Sequence, residues 1–369
     1  MKSITMLLLV LTTLYFPSSS AAAISLQSSF PQEALPTKSG HLTINSTSGS
    51  SIFYTYYEAQ NQEPHFMKPH FLFSFKVLGT FSVSSSLRHN VEHLVLESNL
   101  GSWNRMFGVL FLDNPIATGF SIASSQEEIP RNQHDVAKYL FIAMREFVGL
   151  DKLFENRPFY VTGESYAGKY VPSFAYYTLR KNEGKQLGLR KNGNWSEATS
   201  ARTRVLNTLS NMTGLATLYD FRRLKPYEDE LMAKFLSNVE VKRSLKARES
   251  IVFDVCNDLV GKVLHEDVMK SVRYMVEFLV KNTKVLLYQG QCDLRDGVVS
   301  TEAWMKKMKW EGIGKFLEAE RNVWKVNGEL AGYVQKSENL THVVVMNAGH
   351  LVPTDQAVNS QAMIEDWIL

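Results

Sequence analysis

The run Gly163-Glu164-Ser165-Tyr166-Ala167-Gly168 sets a serine between small residues, with glycine two positions before it and alanine two positions after. A serine lifted onto a sharp strand-to-helix turn needs such neighbours, because larger side chains would collide there. Residues 159–162 are apolar and β-prone, and residues 168–180 carry helical spacing, so the serine lies at a junction of that kind. A hydroxyl is a weak nucleophile. It needs a base to take its proton and a carboxylate to orient that base. Downstream, Asp293 follows the apolar run 285–288, and His350 follows the run 342–346. Asp296 and Asp355 are rival carboxylates, and His342 and His265 are rival bases. His342 falls inside a strand-like run and reads as a packing or surface residue, whereas His265 belongs to the helical insertion.

The elements that must hold these residues follow from periodicity. Residues 41–45 and 51–57 read as strand, turn and strand, 109–112 as a buried strand, and 134–147 as a helix with one apolar face. Residues 60–96 show no sustained period. Strands are expected again at 285–288, 328–335 and 342–346, with helices at 302–309 and 354–368. Strand and helix in alternation predict an α/β architecture, a parallel sheet with helices on its faces. Residues 191–281 are rich in Leu, Arg, Lys and Glu, with helical spacing at 227–236 and 267–279, and read as a helical insertion or cap. The expected organisation is a signal peptide over 1–23, a core in two parts (24–190 and 282–369), and the cap between them.

A chain of 369 residues, 44% hydrophobic and 21% charged, suits a folded globular protein. A formal charge of +3 without a basic patch argues against nucleic acid as a partner. Lys2, an apolar stretch over 6–16 and small residues over 18–23 form a cleavable secretory signal, too short for a span. No membrane association is expected after cleavage, and the protein is expected to be secreted or vacuolar. Sequons at Asn45, Asn194, Asn211 and Asn339 suit a glycoprotein of that pathway. Two cysteines, Cys256 and Cys292, exclude a disulfide-dense scaffold and leave one bridge open.

Residues 163–172 (GESYAGKYVP), 288–304 (YQGQCDLRDGVVSTEAW) and 347–356 (NAGHLVPTDQ) resemble the serine carboxypeptidases, above all their plant serine carboxypeptidase-like branch. Residues 101–121 are similar to the segment ahead of that family's nucleophile. The resemblance implies an α/β-hydrolase fold and hydrolysis of peptide or protein C-termini through an acyl-enzyme. Ser165 would be the nucleophile, Asp293 the acid and His350 the base, without metal or organic cofactor. It also implies that Tyr166 offers its N–H to an oxyanion and that Glu164 helps to bind the terminal carboxylate, a meeting of two carboxyls that needs a shared proton. Family members often pair, so a homodimer is an expectation of the same kind.

The chain departs from the family pattern in three places. No Gly-Gly pair occurs, so the glycine loop that supplies an oxyanion donor has no counterpart, and residues 62–95 carry unrelated text. Near Gln186-Leu187 a strand expected before the insertion is missing, which predicts an incomplete sheet. Ala117 stands where a glycine is usual, a costly choice if that position needs positive φ. Two alternatives follow: an acyltransferase using the same triad, or a catalytically impaired, non-enzymatic family member.

Overall fold

A computed structural model describes residues 34–61, 71–74, 81–88, 91–155, 157–182, 193–227, 230–254 and 256–369. The expected signal segment lies outside them. Strands β1 (Lys38–Asn45) and β2 (Ser50–Tyr57) form the predicted antiparallel pair. Three strands occupy the stretch in which no period was found: β3 (Phe71–Ser74), β4 (Phe81–Arg88) and β5 (Val91–Ser98). β4 and β5 form a separate hairpin, whereas β3 enters the main sheet between β6 (Gly108–Leu112) and a later strand, β7 (Phe159–Thr162). A four-residue strand with parallel neighbours on both sides takes its pairing from long-range contacts, which explains why local pattern did not announce it.

Between β6 and β7 runs α1 (Gln133–Gly149). Asn132 caps it by accepting from the N–H groups of His134 and Asp135, at 3.0 and 3.1 Å. Val136, Leu140, Met144 and Phe147 form its buried stripe and pack on Tyr54, Tyr56 and Leu110 of the sheet. After β7 comes α2 (Ala167–Asn182). The insertion then contributes α3 (Trp195–Thr213), α4 (Glu230–Ser237), α5 (Val239–Ser244), α6 (Asp258–Val263) and α7 (Arg273–Asn282). Its helices at 230–237 and 273–282 begin later than expected, by three and six residues respectively.

The remaining chain forms β8 (Val285–Gly290), α8 (Val298–Met305), α9 (Ile313–Glu318), β9 (Arg321–Val326), β10 (Glu329–Ser337) and β11 (Leu340–Val345). It closes with α10 (Val352–Asp355) and α11 (Ala357–Ile368). α8 starts four residues ahead of the expected 302–309, β9 was not foreseen, and the closing helix is broken at Gln356. The order β8-β11-β10-β9 makes a second sheet, with β8 and β11 parallel. The two sheets are not hydrogen-bonded to each other among the described residues: β7 ends one and β8 ends the other. The stretch around Gln186-Leu187, where a strand was expected to be missing, lies outside the described residues. Elsewhere the two halves share a core in which Phe107, Val109 and Phe111 pack with Val343, Val345, Met363 and Ile364.

Candidate active site

Ser165 lies at the end of β7 and start of α2, exposed, with φ of 59°. A non-glycine residue in the left-handed region is strained, and such strain is typical of positions where a side chain must be presented outward. Backbone bonds close the turn at once: the N–H groups of Ala167 and Gly168 donate to the carbonyls of Glu164 and Ser165 at 3.0 and 2.9 Å. The Tyr166 N–H donates to no backbone carbonyl among the described residues.

Asp293 and His350 arrive from the ends of β8 and β11. They are joined by a 2.6 Å hydrogen bond from His350 Nδ1 to Asp293 Oδ2, and both are buried. The other carboxylate oxygen accepts from the N–H groups of Arg295 and Asp296, at 2.9 and 3.1 Å. With its Nδ1 proton committed to a carboxylate, the neutral imidazole carries its free lone pair on Nε2, the tautomer a base needs. That Nε2 meets no partner among the described residues. The two loops are held together by backbone bonds from Gln291 to Val345 and from Cys292 to Ala348, at 3.0 and 2.8 Å. Gly290 permits this approach, since a Cβ there would overlap the backbone carbonyls of Gly349 and Ala348. Ser165, Asp293 and His350 all border one cavity of about 740 Å³, as does Glu164.

The rival residues have other work. His342 is in β11, fully buried, and faces Gln289 Oε1 at 3.3 Å; burial lowers its pKa to about 4. His265 bonds the Ser196 carbonyl in the insertion. Asp296 pairs with Arg202 at 2.9 Å. Asp355 accepts from the Gly349 N–H at 2.8 Å and from the Tyr227 hydroxyl at 2.6 Å, which anchors the loop carrying His350.

Glu164 is buried in the cavity wall. Burial, and then the Glu164 carboxylate, push the Tyr288 hydroxyl pKa upward. Ala117 has φ of 71°, so the strain expected from an alanine at that position is present. Cys256 is exposed and Cys292 buried, and neither forms a disulfide. Burial raises the Cys292 pKa.

Sequence reasoning missed two supports. Tyr219 lies with its ring 4.5 Å from the His350 imidazole, and its carbonyl accepts the His350 N–H at 2.7 Å. The same short strap bonds the loop of Asp293, from Leu294 N–H to Leu218 carbonyl at 3.0 Å and from Phe221 N–H to Cys292 carbonyl at 3.2 Å. The second support is Asp267, which accepts from Tyr166 Oη at 2.9 Å, Lys169 Nζ at 2.8 Å and Gln133 Nε2 at 2.6 Å. It braces the turn that carries the serine. Neither had a local signal, because each works through contacts about 70 residues away in sequence or more.

This chain's residues 74–194 and 194–369 match the profile of the serine carboxypeptidases. A relative from Arabidopsis thaliana, serine carboxypeptidase-like 50, is 44% identical, covering all of this chain and 95% of that protein. The chain belongs to the serine carboxypeptidase family. The alignment to the Arabidopsis protein spans 428 positions against 369 residues here, so this family member lacks segments that its relative carries. The human probable serine carboxypeptidase CPVL is 29% identical over 94% of this chain and 86% of its own. A solved structure of the prohormone-processing carboxypeptidase Kex1 from Saccharomyces cerevisiae superposes with a TM-score of 0.73 at 19% identity, covering 91% of this chain and 92% of that one. The fold of this carboxypeptidase-family chain is thus the α/β-hydrolase fold. Among the described residues no helix is long and apolar enough to cross a membrane.

Proposed function

We propose that the chain is a secretory-pathway serine carboxypeptidase that releases C-terminal residues from peptides through an acyl-enzyme on Ser165, His350 and Asp293. The observation that carries this reading is the 2.6 Å Asp293–His350 bond bordering the same cavity as a serine held at positive φ. In the first step Ser165 Oγ attacks the scissile carbonyl carbon while its proton passes to His350 Nε2, and Asp293 stabilises the imidazolium. The C–N bond then breaks as His350 returns that proton to the leaving amine. Water attacks the acyl-enzyme by the same route and frees the shortened peptide. Tyr166 N–H serves as one oxyanion donor, and losing a donor of this kind costs about 10²–10³ in kcat. Glu164 shares a proton with the substrate's terminal carboxylate, so binding is favoured at acidic pH.

Signal cleavage near Ala22 or Ala23 belongs to the same reading, with delivery to the vacuole or the extracellular space. Glycans are expected on Asn45, Asn194, Asn211 and Asn339. Asn194 and Asn211 are exposed, while the amides of Asn45 and Asn339 already bond Glu128 and the Val280 carbonyl at 3.3 and 2.9 Å. The test is mass spectrometry of a peptide incubated with the purified protein at acidic pH. Sequential loss from the carboxyl end, absent for Ser165→Ala, supports the reading; an untouched peptide, or internal cleavage, overturns it.

A further inference from the structure

Ser165 is held in a strained backbone state, with φ of 59°, and the peptide unit that follows it carries the Tyr166 N–H. A peptide unit is planar and turns as one piece, so any relaxation of the serine swings that N–H with it. Strain of this kind persists only where the surroundings over-determine the conformation. The Tyr166 side chain supplies such a hold. Its hydroxyl donates to Asp267 Oδ2 at 2.9 Å, and its ring lies 5.3 Å from Lys169 Nζ and 5.1 Å, edge to face, from the Tyr170 ring. It also packs against the buried cluster of Ile129, Val260 and Leu264. Burial, and then the Asp267 carboxylate, push the Tyr166 pKa upward, which keeps the phenol a donor.

The far end of this hold is itself fixed. The Asp267 main-chain N–H donates to the Leu264 carbonyl at 2.8 Å, and the Asp267 carbonyl accepts from the Lys270 N–H at 3.0 Å. Its carboxylate also accepts from Gln133 Nε2, at the start of α1, and from Lys169 Nζ, at 2.6 and 2.8 Å. Tyr166 thus reaches from the catalytic turn to a carboxylate anchored on both the insertion and the core. What the hold protects is a direction. A hydrogen bond weakens steeply once its angle falls below about 120°. The oxyanion develops only as the tetrahedral intermediate forms, so a misaimed N–H costs catalysis and leaves ground-state binding alone.

We propose that the Tyr166 side chain is a positioning device of the oxyanion hole: anchored on Asp267, it aims the Tyr166 main-chain N–H at the oxygen of the tetrahedral intermediate. This role rests on Ser165 being the nucleophile. It gives the insertion a part in the chemistry without a contact to substrate.

The test compares wild type with Tyr166→Phe, which removes one oxygen and keeps the ring. Two probes separate transition-state from ground-state binding. Acetyl-Leu-Val-boronophenylalanine takes Ser165 Oγ onto boron while the serine proton passes to His350, giving a tetrahedral boronate anion with one oxygen in the oxyanion site. Acetyl-Leu-Val-Phe with a free carboxylate is the matching hydrolysis product. Tyr166→Phe is expected to lower kcat about tenfold with KM changed less than about twofold, and to weaken the boronate about tenfold with product binding unchanged. Asp267→Asn, which keeps an acceptor for the phenol, should retain most of the kcat that Asp267→Ala loses. Adding Tyr166→Phe to Asp267→Ala should cost nothing more. If Asp267→Ala does not fold, the Tyr166→Phe comparison decides alone. A merely structural role predicts a lower Tm with kcat and both affinities unchanged, and that result overturns the proposal, as do equal losses for the two probes. Wild-type protein that neither trims peptide nor holds the boronate through Ser165 fails as a serine enzyme and takes this role with it; an active wild type with an unaffected Tyr166→Phe variant overturns this role alone.

Discussion

Replacing Asp267 by leucine removes the hub beneath the catalytic turn, and the cost can be worked from its partners. Asp267 is 2% exposed and accepts from a lysine, a glutamine and a tyrosine. Lys169 is itself largely buried, at 13% side-chain exposure, and burial lowers its pKa while Asp267 opposes the shift. Removing one partner of a buried pair strands the other, at a cost of about 3–5 kcal/mol. Native stabilities are about 5–15 kcal/mol, so this is a large share. The double variant Asp267→Leu/Lys169→Met removes the stranded charge and is expected to recover about 2 kcal/mol or more of the loss. Urea unfolding followed by fluorescence, on wild type, both single variants and the double variant, measures the cycle. A double variant no more stable than Asp267→Leu alone would refute the reasoning, because the damage would then not come from an uncompensated lysine.

Other consequences are smaller. Tyr219→Ala deletes the ring against His350, a contact of about 0.5–1.5 kcal/mol, while the backbone bond to His350 remains; kcat is expected to fall about three- to tenfold with KM little changed, whereas a change in KM alone would count against a positioning role. His342, whose native pKa is about 4 against an ordinary 6.5, is kept neutral by burial. Its contribution is therefore complete above pH 6.5 and is lost as pH falls toward 4, up to about 3 kcal/mol. His342→Gln should flatten the pH dependence of unfolding in that window, and an unchanged slope would remove His342 as its source. Ala117→Gly relieves an alanine at φ 71° and should raise stability by about 0.5–1 kcal/mol in thermal unfolding; a lower Tm would show that the position is not strained.

How much of this was legible in sequence depended on range. The turn at Ser165 was readable because a strand, small residues and a helix adjoin within about ten positions, and the loops of Asp293 and His350 each follow a strand at once. The antiparallel pair at the start was likewise local, set by alternation and a turn between its members. β3 escaped because a short strand with neighbours on both sides draws its register from β6 and β7. Tyr219 and Asp267 escaped for the same reason, since each reaches its partners from the insertion. That β7 and β8 end two separate sheets among the described residues required the coordinates.

The triad account is tested most directly by reacting the purified protein with a fluorophosphonate, which modifies only an activated serine, and locating the adduct by mass spectrometry. The account predicts one adduct, on Ser165, lost in Ser165→Ala and slowed at least about a hundredfold in His350→Ala. A folded protein that stays unlabelled, or is labelled equally well without His350, would contradict it.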